Sequence, residues 1–197
     1  ETIEELPVPV LKSVDLRTES ILDFLEDPKR PGPWDRRGLV VGSVQSGKTG
    51  NFLGLACKAL DSGYRLVVIL AGIHNSLRAQ TQIRLEEGRL GHNTNSSLFF
   101  DAAEEKVGVG TLFFEDLHVN SMTSRAEDGD FNSRKLGTTV RLGETPFVVV
   151  VKKHATILNN LRTWITKRNG TEAAEGRKVV RDIPMLVIDD EADHPSI

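Results

Sequence analysis

Gly42-Ser43-Val44-Gln45-Ser46-Gly47-Lys48-Thr49 fits the phosphate-binding pattern GxxxxGK[ST] at every fixed position. It constrains the fold more than any other stretch, because the pattern carries meaning only at a strand-to-helix turn. Arg37-Gly38-Leu39-Val40-Val41, just ahead of it, is a short apolar run of buried-strand type, and the chain from Thr49 onward reads as a helix. There the backbone N–H groups of a glycine-permitted turn and the helix N-terminus converge on an anion. Gly42, Gln45, Ser46 and Gly47 are expected to form the cradle of a nucleotide such as ATP. Lys48 is expected to reach the β- and γ-phosphates, and the Thr49 hydroxyl to ligate magnesium.

A second stretch supplies complementary chemistry. Met185-Leu186-Val187-Ile188-Asp189-Asp190-Glu191-Ala192-Asp193 is an apolar strand that ends in adjacent carboxylates. A phosphate-loop hydrolase needs one carboxylate for magnesium, usually through water, and one to polarise the attacking water. Asp190 is the expected metal carboxylate and Glu191 the expected general base, with Asp189 the alternative for the metal. Neighbouring acids repel, so without a cation the cluster costs stability.

The rest of the chain reads as an α/β domain built around these two motifs. Leu66-Val67-Val68-Ile69-Leu70 and Phe147-Val148-Val149-Val150-Val151 are continuous apolar runs, the mark of strands covered on both faces. Phe52, Leu55, Ala56, Ala59 and Leu60 recur at helical spacing before Gly63, giving a strand, loop, helix, strand crossover unit of a parallel sheet. The phosphate-loop strand is expected to lie centrally. A polar helix over 76–87, with Arg78, Gln80, Gln82 and Arg84, presents a solvated face by its charge pattern. Residues 88–105 read as a loop, 107–114 as a strand weakened by Gly108 and Gly110, and 120–145 as a long irregular segment. Within that segment Asp128 and Asp130 fit a turn better than a cation loop. Lys152-Lys153-His154 opens a further helix through Ile157, Leu161, Trp164 and Ile165. The two lysines suit either a solvated basic turn or contact with nucleic-acid phosphates. Ahead of the phosphate loop, residues 1–15 with Pro7 and Pro9 read as a leading arm, followed by a short helix ending before Pro28. Trp34 is expected to pack against the sheet rather than stack on a base.

Composition narrows the setting. The 197 residues carry a formal net charge of -3, so a nucleic-acid contact has to come from a local basic patch. The single cysteine, Cys57, excludes an intrachain disulfide and fits a reducing cytoplasm. No apolar run approaches the ~20 residues of a membrane span, so no membrane partner is expected.

The phosphate loop together with Asp190-Glu191-Ala192-Asp193 resembles the first motor domain of superfamily-two helicases. A narrower resemblance is to the Z-one domain family, bacterial proteins labelled endonucleases and found with restriction and phage-defence systems. It rests on residues 40–49, on Leu70-Ala71-Gly72-Ile73-His74-Asn75-Ser76-Leu77-Arg78-Ala79-Gln80-Thr81-Gln82, and on Ile188-Asp189-Asp190-Glu191-Ala192-Asp193. The resemblance implies a three-layer P-loop NTPase (RecA-like) domain with a mainly parallel central sheet over 37–197. Residues 1–36 form an N-terminal arm and short helix, and the whole is expected to be part of a longer protein. It implies an ATPase of helicase or translocase type acting on DNA in bacterial defence. ATP and magnesium are its cofactors, other defence-system proteins its possible company, and a second motor domain or partner subunit supplies an arginine finger. Two competing functions are a nucleotide-dependent assembly switch and a magnesium-dependent endonuclease using Asp189, Asp190 and Glu191.

Overall fold

The computed structural model describes residues 7–41, 48–101, 105–113, 117–136, 140–172, 176, 178–190 and 192. In chain order the elements are α1 (Val8–Phe24), α2 (Lys48–Ser62), β1 (Leu66–Ala71), α3 (Asn75–Leu85) and a π-helical turn (Glu86–Leu90). There follow a single turn α4 (Gly110–Phe113), β2 (Asn120–Ser121), β3 (Phe147–Val151), α5 (Ala155–Asn169), β4 (Gly170–Glu172), β5 (Lys178–Val180) and β6 (Met185–Asp190). The fold is α/β, with a four-stranded, all-parallel sheet in the order β2-β3-β1-β6, flanked by helices. β4 and β5 make a small antiparallel ribbon.

The apolar runs explain the sheet. Val148, Val149, Val150, Leu66, Val67 and Ile69 are fully or almost fully enclosed, as parallel strands covered on both faces must be. Their side chains alternate between two cores. Val67, Ile69, Val148 and Val150 pack with Phe52, Leu55, Ala56, Ala59 and Leu60 of α2, with Leu85 at the end of α3 and with Leu90 beyond it. Leu66, Val68, Val149 and Val151 pack on the opposite face with Leu161, Trp164 and Ile165 of α5 and with Phe131, Leu136 and Val140. Each such side chain contributes about 1.5–3 kcal/mol on burial, so the two faces hold the sheet between them.

Several expectations are corrected. Residues 37–41 form no strand, and Leu39, Val40 and Val41 are 79%, 62% and 86% exposed. The central strands are therefore β3 and β1, not the run before the phosphate loop. Among the described residues the arm read at 1–15 is helical from Val8 onward, because a proline in the first turn loses no intrahelical hydrogen bond. α1 packs on α2, where Lys58 pairs with Asp15 at 2.8 Å and Glu19 at 2.5 Å. Residues 107–113 give a turn of helix rather than a strand. Gly110 lies so close to the Gly91 carbonyl that a side chain on it would collide with backbone. Gly91 itself closes the π-helical turn at φ 74, donating its N–H to Glu86 O at 2.8 Å. Trp34 meets Tyr64 edge to face at 6.1 Å and joins the first core, as expected. Among the described residues no helix is long and apolar enough to cross a membrane.

Candidate functional site

The carboxyl ends of parallel strands are where an open α/β sheet offers a ligand site, and here those ends carry most of the chain's unusual chemistry. α2 reaches that end by simple geometry. It stops at Ser62, its last turn closed by Gly63 and Tyr64 N–H groups on Leu60 and Ala59 carbonyls, and β1 starts at Leu66. So short a link makes α2 run back along β1. Its 15 residues span about 22 Å, against about 20 Å for the six residues of β1. Lys48, the first helical residue, therefore stands at the end of the sheet where β1 finishes at Ala71. Ala71 is in register with Asp190, the last residue of β6, which is half-buried. The helix N-terminus and the carboxylate-bearing strand tip share one end of the fold.

Asp189 has a different environment from its neighbour. Its Oδ1 lies 2.6 Å from Nζ of Lys153, a lysine whose side chain is fully buried while that of Asp189 is 40% exposed. β3 and β6 are not neighbours, since β1 runs between them. Lys153 reaches across the end of β1 from just beyond β3, and its backbone N–H donates to Gly72 O at 2.8 Å. Gly72 has φ 67, the left-handed conformation that glycine adopts without penalty. Lys153 is thus neither the solvated basic residue nor the exposed phosphate contact that the sequence suggested. Its ammonium pairs with the Asp189 carboxylate.

α3 also departs from expectation. Arg78, Gln82 and Glu86 are fully buried although their spacing reads as a solvated face. Each finds a partner among residues 121–126. Arg78 donates to Ser124 O at 2.7 Å and to Ala126 O at 2.5 Å. Gln82 donates to Ser121 Oγ and accepts from Thr123 Oγ1, which itself accepts the Val150 N–H. Glu86 accepts from Arg125 Nε at 2.6 Å and from the Thr94 hydroxyl. Burial lowers the pKa of Arg78, opposed by the charges of Asp130 and Asp128. This polar layer fixes the loop that carries Asp130, whose Oδ1 accepts the Phe131 N–H at 2.7 Å and whose Oδ2 faces the Lys152 N–H at 3.4 Å. Burial pushes the Asp130 carboxyl up, against those hydrogen bonds and the nearby cations of Arg78 and Lys152. Asp128 instead pairs with Lys135 at 2.7 Å, which holds its carboxyl below the usual range. The pair Asp128 and Asp130 belongs to a turn, closed by Gly129 N–H on Ala126 O.

Of the residues singled out in the sequence, Gly42, Gln45, Ser46, Gly47 and Glu191 lie outside the described residues. Lys48 and Thr49 are described as the backbone that opens α2, and Asp190 as the tip of β6. His74 caps the start of α3 by position without a side-chain hydrogen bond. Sequence reasoning missed the roles of Lys153 and Asp130. Only the strand order brings Lys153 to Asp189, although both follow apolar runs at the same end of the sheet. No protein-family model, curated protein or solved structure matches the chain.

Proposed function

We propose that this chain is an ATP-binding and ATP-hydrolysing motor domain of helicase or translocase type, acting on DNA in bacterial defence or restriction, of the Z-one kind that its motifs resemble. One observation carries most of the weight: the helix that begins at Lys48 of a GxxxxGK[ST] stretch opens at the end of the sheet where β6 delivers Asp190. A helix N-terminus favours an anion, and a strand-tip carboxylate favours a cation.

The residues present suit ATP with magnesium. Asp189 is engaged by Lys153; Thr49 and Asp190 are the protein groups that would hold the metal, with Gly42, Gln45, Ser46, Gly47 and Lys48 around the phosphates. Magnesium, when bound, neutralises phosphate charge. Lys48 adds a cation where negative charge develops, and Glu191 orients the attacking water and takes its proton. An arginine finger from a second motor domain or partner subunit completes such sites and is worth about 10³–10⁵ in rate, so turnover by this chain alone is expected to be slow. The endonuclease alternative needs Asp189 as a metal ligand, and the buried ammonium of Lys153 competes for that carboxylate.

The test is ATP turnover with magnesium, with and without DNA, beside Glu191→Gln. Turnover that rises on DNA and disappears in the variant supports the motor. Turnover indifferent to DNA, with oligomerisation that follows ATP, replaces it by the assembly switch. DNA cleavage that needs metal but no ATP replaces it by the nuclease.

A further inference from the structure

Away from the strand tips, a cleft of about 850 Å³ lies between the 131–134 loop and α5. Asn160, Thr163, Trp164 and Lys167 line it from the helix, joined by Arg168 and, from the loop, Arg134. The helical members are spaced i, i+3, i+4 and i+7, so they share one face. No carboxylate is among the described residues that line it, although the chain as a whole carries more acids than bases. Lys167 and Arg168 complement the C-terminus of α5. That does not account for Arg134, which arrives from a separate loop. Nor does it account for Trp164, 7% exposed, whose buried indole Nε1 has no hydrogen-bond partner among the described residues. A buried donor left without an acceptor is costly.

From this lining we infer that the cleft holds the phosphodiester backbone of a single DNA strand. The inference rests on the proposed action on DNA and locates the strand. Arg134 and Lys167 donate to phosphate oxygens, and Asn160 and Thr163 meet sugar and phosphate oxygens. Phe131 and Trp164 pack edge to face at 5.9 Å and are both almost wholly buried, so their rings are not open to bases. With no free aromatic platform, a mononucleotide has nothing to hold its base. Binding led by phosphates is also tolerant of sequence, which suits movement along a strand.

The test uses Trp34→Phe as the parent, because the chain has two tryptophans and this leaves Trp164 alone to report. Binding of a fluorescent oligo(dT) is followed by anisotropy from about 50 to 200 mM salt, where single strands lose about 0.7 in logarithmic slope per phosphate contact. In Arg134→Gln/Lys167→Gln, affinity is expected to fall at least ~10-fold and the slope to shrink by about 1.4 for two lost contacts. Trp164 emission responds to the oligonucleotide in the parent, while binding of a fluorescent ATP analogue is the same in both. Both substituted side chains are exposed, so the fold is retained, as matching thermal unfolding would verify. Equal affinity and slope in the two proteins overturn the cleft assignment while the action on DNA stands. A parent that binds no oligonucleotide overturns both. A Trp164 response to inorganic pyrophosphate but none to oligo(dT) overturns the identification of a strand.

Discussion

Asp189 and Lys153 form an ion pair whose two halves should not be equally dispensable. The lysine side chain is fully enclosed and the carboxylate is 40% exposed, at 2.6 Å. Asp189→Asn takes a carboxylate away from an ammonium that water cannot reach. Breaking a buried pair in that way costs about 3–5 kcal/mol, and the partial exposure of Asp189 together with a further interaction of Lys153 favours the lower end, about 3 kcal/mol. Lys153→Met leaves a carboxylate that can turn to solvent and keeps most of the apolar stem volume, so its loss is close to that of a surface pair, about 1 kcal/mol. The two variants should therefore differ by about 2 kcal/mol, near 1 M in urea midpoint for a slope of about 2 kcal/mol/M. Equilibrium urea unfolding, followed by tryptophan fluorescence, measures both. The double variant is expected to cost no more than Asp189→Asn alone, since the pair is lost only once. A Lys153→Met variant as damaged as Asp189→Asn, or more so, would refute the reasoning.

Other outcomes follow from the same geometry. Asp130 has its carboxyl raised by burial, so the folded chain keeps that proton to higher pH than the unfolded chain does; stability falls as pH rises from the ordinary carboxylate range through the raised folded value. Asp130→Asn keeps an acceptor for the Phe131 amide without the charge, and its stability relative to wild type should climb across that window and level off above it; a difference flat in pH contradicts this. Gly110→Ala drives a methyl into the Gly91 carbonyl and should cost at least ~2 kcal/mol by overpacking. Gly88→Ala, with open space around it, should stay within about 0.5 kcal/mol, and equal thermal midpoints for the two would count against the close approach. Lys48→Ala should weaken ATP binding by about 1.5–3 kcal/mol, the range for a hydrogen bond to a charged group, as read by nucleotide titration; unchanged affinity and turnover would remove Lys48 from the phosphate site.

What the sequence revealed was whatever depends on local apolar pattern. Leu66–Ala71 and Phe147–Val151 are strands because branched apolar runs suit a doubly covered sheet, Met185–Asp190 pairs along β1 at the margin, and α2 and α5 follow their helical spacing. The phosphate-loop pattern and the acids that end β6 were visible as motifs, and the shared end of Lys48 and Asp190 follows once α2 is laid against β1. Burial of polar side chains was not visible. Arg78, Gln82 and Glu86 lie inside because their partners come from residues 94 and 121–126, and nothing in a helix's own charge pattern announces an acceptor at that distance. The run 37–41 shows the reverse error. Its residues suit a strand, but strand formation needs a neighbour to supply the ladder, and among the described residues these side chains remain exposed.

β6 stands at the margin of its sheet, with a single paired neighbour among the described residues and Val187 54% exposed. A marginal strand held by one ladder can slide or fray at its tip, and fraying would carry Asp190 with it. The Lys153 bridge adds a second anchorage from a strand two places away, and the Lys153 amide on Gly72 ties that anchor to the strand between. Three strand ends are thereby triangulated, so the bearing of the Asp190 carboxylate is inherited from β3 as well as from β1. Loosening the lysine should broaden where that carboxylate points before it unfolds anything.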